Sequence, residues 1–164
     1  MSRLRLLKLL VQISRFGLAA LFLFAAGAKL YTLREFVANV SNLVWLGWEW
    51  PVALLVIALE LIAALLLIIP RTVRLGGFWS AVLLLGFAAY ALYYTQILHG
   101  EPLECGCFGG IIASQLGVST ALRNLGLLLP ALLIIFAYPR LRRIEDKGAE
   151  APQAAPPLIE HERT

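Results

Sequence analysis

The uncharged stretch at residues 75–98 constrains the fold of this chain more than any other feature. It contains no Asp, Glu, Lys or Arg. An α-helix rises about 1.5 Å per residue, so about 20 apolar residues cross the hydrocarbon core of a bilayer. The sequence has three more apolar stretches near this length, which predicts four transmembrane helices at residues 11–33, 51–70, 75–98 and 116–138.

Composition supports a membrane protein, because 60% of the residues are hydrophobic and 15% are charged, whereas soluble domains average about 25% charged residues. We therefore predict an all-α polytopic membrane protein with a four-helix bundle at residues 11–138. A basic cytoplasmic N-terminus (1–10) and a disordered cytoplasmic tail (139–164) flank the bundle. We expect small residues to pack its helices, namely Ala25, Ala26, Gly27, Gly86 and Gly126.

The basic residues predict the orientation of the bundle. Eleven of the 14 Lys and Arg residues fall in the two terminal segments, at Arg15 or between the second and third spans. The positive-inside rule makes that side cytoplasmic. Both termini then lie inside, and the segments 31–50 and 99–117 face the periplasm or cell exterior. The same charge pattern explains the basic excess without nucleic-acid binding.

The first outer segment is predicted to contain a short interfacial helix. Phe36, Val37 and Val40 recur at helical spacing, and three tryptophans (Trp45, Trp48 and Trp50) follow them. Tryptophans at this position are typical of a belt at the membrane surface. Near the N-terminus, a signal peptide ending at Ala26–Ala28 is an alternative. A retained helix is the simpler account, because cleavage leaves three spans.

Cys105 and Cys107, the only cysteines, lie in the second outer segment within ECGCFGG. Two thiols one residue apart can form a strained disulfide, bind a soft metal ion or exchange electrons with a partner's thiols. Packing of two small apolar residues is the alternative without chemistry. Gly106, Gly109 and Gly110 permit a tight backbone beside Phe108, and an oxidising compartment lets a disulfide persist.

Charged residues inside the predicted spans suggest a polar pocket below this segment. Glu60 lies mid-span, where an uncompensated charge costs about 3 kcal/mol or more. Lys29 or Arg123 can pair with it, and we expect the side chains of Arg15 and Lys29 near their span ends to reach the interface. An ion pair that fixes helix packing is one interpretation. A functional pocket is the other, with Lys29, Glu60, Gln96, Arg123 and Asn124 as its residues and a quinone as candidate cofactor.

Four sequence motifs resemble the methylamine utilisation protein MauE family and its wider DoxX-like relatives. They are AAGAKL ending at Leu30, LELIAALLLIIP with Glu60, CGCFGG, and LRNLGLL with Arg123 and Asn124. The likeness covers about residues 11–138. It implies a redox-associated protein of the bacterial inner membrane that helps mature an exported client, the disulfide-rich small subunit of methylamine dehydrogenase in that family. A periplasmic thioredoxin-like protein is the implied partner.

Three hypotheses about function follow. In the first, the chain is a thiol–disulfide oxidoreductase component in which Cys105 and Cys107 form the exchanging pair. One cysteine pair cannot by itself relay electrons through a second pair to a quinone, so a partner must reset it. In the second, His99, Cys105 and Cys107 bind copper(I) or zinc. In the third, the chain is a structural or assembly subunit whose pocket binds quinone or lipid.

Overall fold

The computed structural model of the chain describes residues 3–41, 44, 47–96 and 118–150, which form five α-helices and no strand. The helices are α1 (Arg3–Tyr31), α2 (Leu33–Ser41), α3 (Glu49–Ile68), α4 (Val73–Gln96) and α5 (Val118–Glu150).

Four of these helices are long and apolar enough to cross a membrane, with candidate spans at Leu4–Tyr31, Glu49–Ile68, Val73–Tyr93 and Val118–Ile144. A helix suits this setting because it satisfies its backbone hydrogen bonds internally, which lipid cannot do for it. The prediction of an all-helical protein with four spans is therefore confirmed. The short helix predicted between the first two spans is α2.

The four long helices pack as a ring. Each contacts two neighbours extensively, so that α1 lies between α3 and α5, while α4 lies between α5 and α3. Their shared core includes one large buried side chain from each helix, namely Phe22, Leu67, Leu84 and Ile134. The short helix α2 covers one end through Phe36, Val37 and Val40, which pack near Ala53 and Ile57 of α3.

The helices α1 and α5 extend past the turn between α3 and α4. The Tyr138 hydroxyl donates a 2.9 Å hydrogen bond to the Pro70 carbonyl in that turn, yet α5 continues to Glu150. Val11, Ala137 and Leu141 form a buried cluster between the two extensions. The helices themselves run beyond the predicted bundle of residues 11–138, because α1 begins at Arg3 and α5 continues through Pro139 to Glu150.

The last four carbonyls of α3 all accept hydrogen bonds, although a helix end leaves such groups without partners inside the helix. The Ile69 amide bonds to Leu65 O at 3.0 Å, and the Thr72 hydroxyl to Leu66 O at 2.9 Å. Arg15 supplies the other two bonds, from Nε to Leu67 O at 2.6 Å and from Nη2 to Ile68 O at 2.5 Å.

Arg15 corrects one expectation from the sequence. We expected its side chain to reach the interface, but only 6% of the residue is exposed. Its guanidinium has several donors in a planar fork, which suits two adjacent carbonyls at a helix end. Arg15 thereby ties α1 to the end of α3.

Of the five small residues that we expected to pack the helices together, two are buried. Ala25 and Ala26 are buried, but the three expected glycines, Gly27, Gly86 and Gly126, are exposed and a Cβ added there would meet nothing within 4 Å. The close approach is at Gly76, where a Cβ would lie 2.8 Å from both Leu66 C and Leu67 N. Gly76 therefore lets the start of α4 pack directly on the backbone of α3.

Candidate functional site: a buried ion pair beside a central cavity

An ion pair joins α1 to α3 in the interior of the bundle. Lys29 Nζ donates to Glu60 Oε1 at 2.7 Å, with 4% and 2% of the respective side chains exposed. The sequence left Lys29 and Arg123 open as partners for Glu60, and the structure selects Lys29. Because each charge offsets the cost of burying the other, neither side chain has to leave the bundle.

Aromatic rings complete the surroundings of the Lys29 ammonium. Its Nζ lies 5.6 Å from the centroid of the Phe36 ring of α2 and 6.0 Å from that of the Phe87 ring of α4. Ring faces attract cations at such distances. The ammonium thus contacts groups from three elements other than α1, which fixes its position more firmly than the ion pair alone.

Glu60 also lines a small cavity. Its volume is about 30 Å³, and side chains from all four long helices line it. Three lining residues are polar or charged, namely Glu60, Arg123 and Asn124, and the remainder are apolar residues such as Phe22, Phe87 and Leu127. Glu60 and Asn124 approach from helices α3 and α5, which lie diagonally opposite each other in the ring.

Two atoms at this cavity have no hydrogen-bond partner among the residues that the structure describes. They are Glu60 Oε2, an acceptor, and Asn124 Nδ2, a donor. Both residues are almost fully buried, at 2% and 5% exposed. Buried polar atoms in proteins are nearly always hydrogen-bonded. Two buried polar atoms without a described partner at one cavity are therefore unusual.

The structure thus brings together four of the five predicted pocket residues. Lys29 pairs with Glu60, while Glu60, Arg123 and Asn124 line the same cavity. Gln96 is the exception, because it is the last residue of α4 and is exposed. Phe87, nine positions earlier, is the α4 residue that reaches both the cavity and Lys29.

The remaining predicted site residues lie outside the described part of the chain. They are His99, Cys105, Gly106, Cys107, Phe108, Gly109 and Gly110, all in the segment that connects α4 to α5. Only the covalent connection of this segment to the end of α4 and the start of α5 limits where these residues can lie. Asn124 lies six residues after the start of α5 at Val118, or about 9 Å along the helix.

Sequence reasoning missed the structural use of Arg15, although a signal for it exists. Arg15, Phe22 and Lys29 are spaced by seven residues and therefore lie on one face of α1. Ala19 and Ala26 share that face, and all five residues are buried. A seven-residue repeat that combines two basic residues with small ones indicates a helix face with buried polar partners.

Comparison with known proteins places this architecture in a family. Residues 7–137 match the family model described as methylamine utilisation protein MauE. Neither the search of curated proteins nor the search of solved structures found a match. The matched range contains α2, α3 and α4 whole and most of α1 and α5, together with the ion pair and the cavity. The chain is thus a multi-pass membrane protein that belongs to the MauE family and is associated with methylamine utilisation.

Proposed function

We propose that this protein carries out thiol–disulfide exchange during maturation of an exported client, with Cys105 and Cys107 as the exchanging pair. The observation that carries the proposal is that the family match extends continuously over residues 7–137 and so includes both cysteines. They are the only cysteines in the chain, so any thiol chemistry that it performs uses this pair.

The proposed exchange conserves electrons between two pairs of thiols. A client dithiol attacks the Cys105–Cys107 disulfide through a mixed disulfide, and the client leaves with a new disulfide. The two electrons and two protons from the client remain on Cys105 and Cys107 as thiols. A periplasmic thioredoxin-like protein in its disulfide form then accepts them and restores the pair.

The described contacts that support this role lie at the end of the bundle where α4 ends and α5 begins, the two helices that the cysteine segment connects in sequence. The ion pair and the aromatic contacts of Lys29 join α1, α2, α3 and α4 near that end. Arg123 and Asn124 add contacts from the first turns of α5. We infer that this end faces the periplasm and that the inner membrane of a bacterium holds the protein, because basic residues mark the opposite end.

Sequential alkylation of native membranes tests the proposal. Free thiols are blocked with a light reagent, disulfides are reduced, and the released thiols are tagged with a heavy reagent. We expect both cysteines to carry the heavy tag. A pair that is fully reduced, and that stays reduced when an oxidised thioredoxin-like protein is added, contradicts disulfide donation.

Trapping identifies the partner. A Cys107→Ser variant keeps one thiol that can form a mixed disulfide but not resolve it, so we expect a covalent adduct that a reducing agent releases. Cys105→Ser is the matched variant, and the chain with both serines is the control that removes every adduct. If neither single variant forms an adduct with any exported protein, the exchange hypothesis is wrong.

A further inference from the structure

The central cavity presents one acceptor and one donor with no partner in the described part of the chain. Glu60 Oε2 accepts hydrogen bonds, whereas Asn124 Nδ2 donates them. Both residues line the cavity and are at least nine-tenths buried. A molecule that donates to the carboxylate and accepts from the amide satisfies both atoms at once.

The size of the cavity limits what that molecule can be. The volume is about 30 Å³, and a water molecule needs about 10–15 Å³ of such space. One or two waters fit, whereas a quinone ring or a lipid headgroup does not. The polar atoms also meet the other requirement for a buried water, which is a set of hydrogen-bonding partners rather than an apolar wall.

The hydrogen-bonding groups at the cavity favour a neutral occupant over an ion. Lys29 already offsets the charge of Glu60 at 2.7 Å. A metal ion cannot accept a hydrogen bond from Asn124 Nδ2, and a simple anion cannot donate one to Glu60 Oε2. Water has the required donor and acceptor groups and no charge.

We propose that this cavity is a water-binding site, in which one or two waters accept a hydrogen bond from Asn124 Nδ2 and donate one to Glu60 Oε2. The water joins the ion pair of α1 and α3 to α5 across the centre of the ring. It also gives Glu60 a neighbour with which a proton can be exchanged inside the membrane. This site acts independently of the thiol chemistry proposed above.

Nuclear magnetic resonance of the full chain in lipid nanodiscs tests the site directly. The chain has three asparagines, Asn39, Asn42 and Asn124, so labelling asparagine with nitrogen-15 yields three side-chain amide signals. Asn39→Ala and Asn42→Ala variants identify the Asn124 signal by elimination, and Asn39 does not line the cavity. We expect the Asn124 amide protons to show magnetisation transfer with protons at the water resonance.

The Trp79 indole, with tryptophan labelled by nitrogen-15 in the same way, is the control, because its Nε1 donates to Leu59 O at 3.3 Å and Trp79 does not line the cavity. We expect no transfer from water to that indole proton. Two results overturn the proposal. One is the absence of transfer from water to Asn124, and the other is transfer from lipid or quinone protons in its place.

Discussion

The ion pair between Lys29 and Glu60 joins α1 to α3 in the interior of the bundle. Both side chains are almost inaccessible to solvent. The contribution of the pair to stability therefore depends on how far the attraction between the two charges offsets the cost of burying them. Neither buried charge is offset without the other, so a substitution at one position changes the effect of a substitution at the other. Glu60 also lines the cavity, which links the stability of the bundle to the proposed water site.

Removal of one partner is expected to destabilise the protein strongly. In Glu60→Ala the Lys29 ammonium stays buried without its carboxylate, and we expect the free energy of unfolding to fall by about 3–5 kcal/mol. The double variant Lys29→Met/Glu60→Leu removes both charges and should recover most of that loss. Equilibrium unfolding in mixed micelles, followed by circular dichroism, measures both values.

Glu35→Ala is the matched control, because Glu35 is an exposed glutamate on α2. We expect its effect to stay within about 0.5 kcal/mol. A double variant as unstable as Glu60→Ala contradicts the argument, since the loss then comes from packing at these positions rather than from an unpaired charge.

The sequence predicted at this scale that Glu60 can form an ion pair, and it offered two partners. Charge alone could not choose between Lys29 and Arg123, because that choice depends on which face of α1 turns toward α3. The helix α1 is apolar on nearly all sides, with exposed leucines beside buried ones. Hydrophobic periodicity therefore defines no inward face for it. The burial of Arg15 is indicated instead by the seven-residue spacing of Arg15, Phe22 and Lys29, which hydrophobic periodicity does not report.

Among the elements, the hairpin of α3 and α4 depends on direct contact between backbones. Gly76 packs where a Cβ would lie 2.8 Å from Leu66 C and Leu67 N. Main-chain atoms within a helix cannot yield as a flexible side chain can. Beside this contact, Arg15 and Thr72 satisfy the terminal carbonyls of α3. The turn is thus held by α1 as well as by its own residues.

Gly76→Ala is therefore expected to separate α4 from α3. Overpacking of this kind costs typically about 1–3 kcal/mol, and we expect a lower midpoint of thermal unfolding. Gly86→Ala is the matched variant in the same helix, because nothing lies within 4 Å of its added Cβ. Since alanine favours helices over glycine by about 1 kcal/mol, Gly86→Ala should raise the midpoint. Equal effects of the two substitutions would contradict the role of Gly76.

The existence of each long helix could be predicted from apolar length, but helix ends and contacts could not. The prediction placed the fourth span at residues 116–138 from its apolar length. In the structure, α5 continues to Glu150, and Leu141 packs with Val11 in a buried cluster. That contact joins residues far apart in sequence, which local patterns do not report. Local sequence likewise does not report that α4 approaches α3 at Gly76, whereas Gly86 and Gly126 approach no other helix closely.

For the whole molecule, the ring of helices separates two ends with different chemistry. One end carries the turn between α3 and α4, together with the basic residues Arg71 and Arg74 and the extensions of α1 and α5. The other end carries α2, the end of α4 and the start of α5, which the segment with Cys105 and Cys107 connects along the sequence. The cavity and ion pair belong to this second end, where α5 begins.

Accessibility of single cysteines tests the orientation that this separation implies. We expect a membrane-impermeant maleimide, applied to intact cells with a permeabilised outer membrane, to label Cys105 and Cys107 after reduction. An Arg71→Cys variant that lacks the two native cysteines should be labelled only after lysis, because Arg71 is exposed in the turn at the basic end. The physical reason is the retention of basic segments in the cytoplasm. Labelling of the Arg71→Cys variant in intact cells, with protection of the native pair, would reverse the orientation and remove the cysteines from the oxidising compartment that disulfide donation requires.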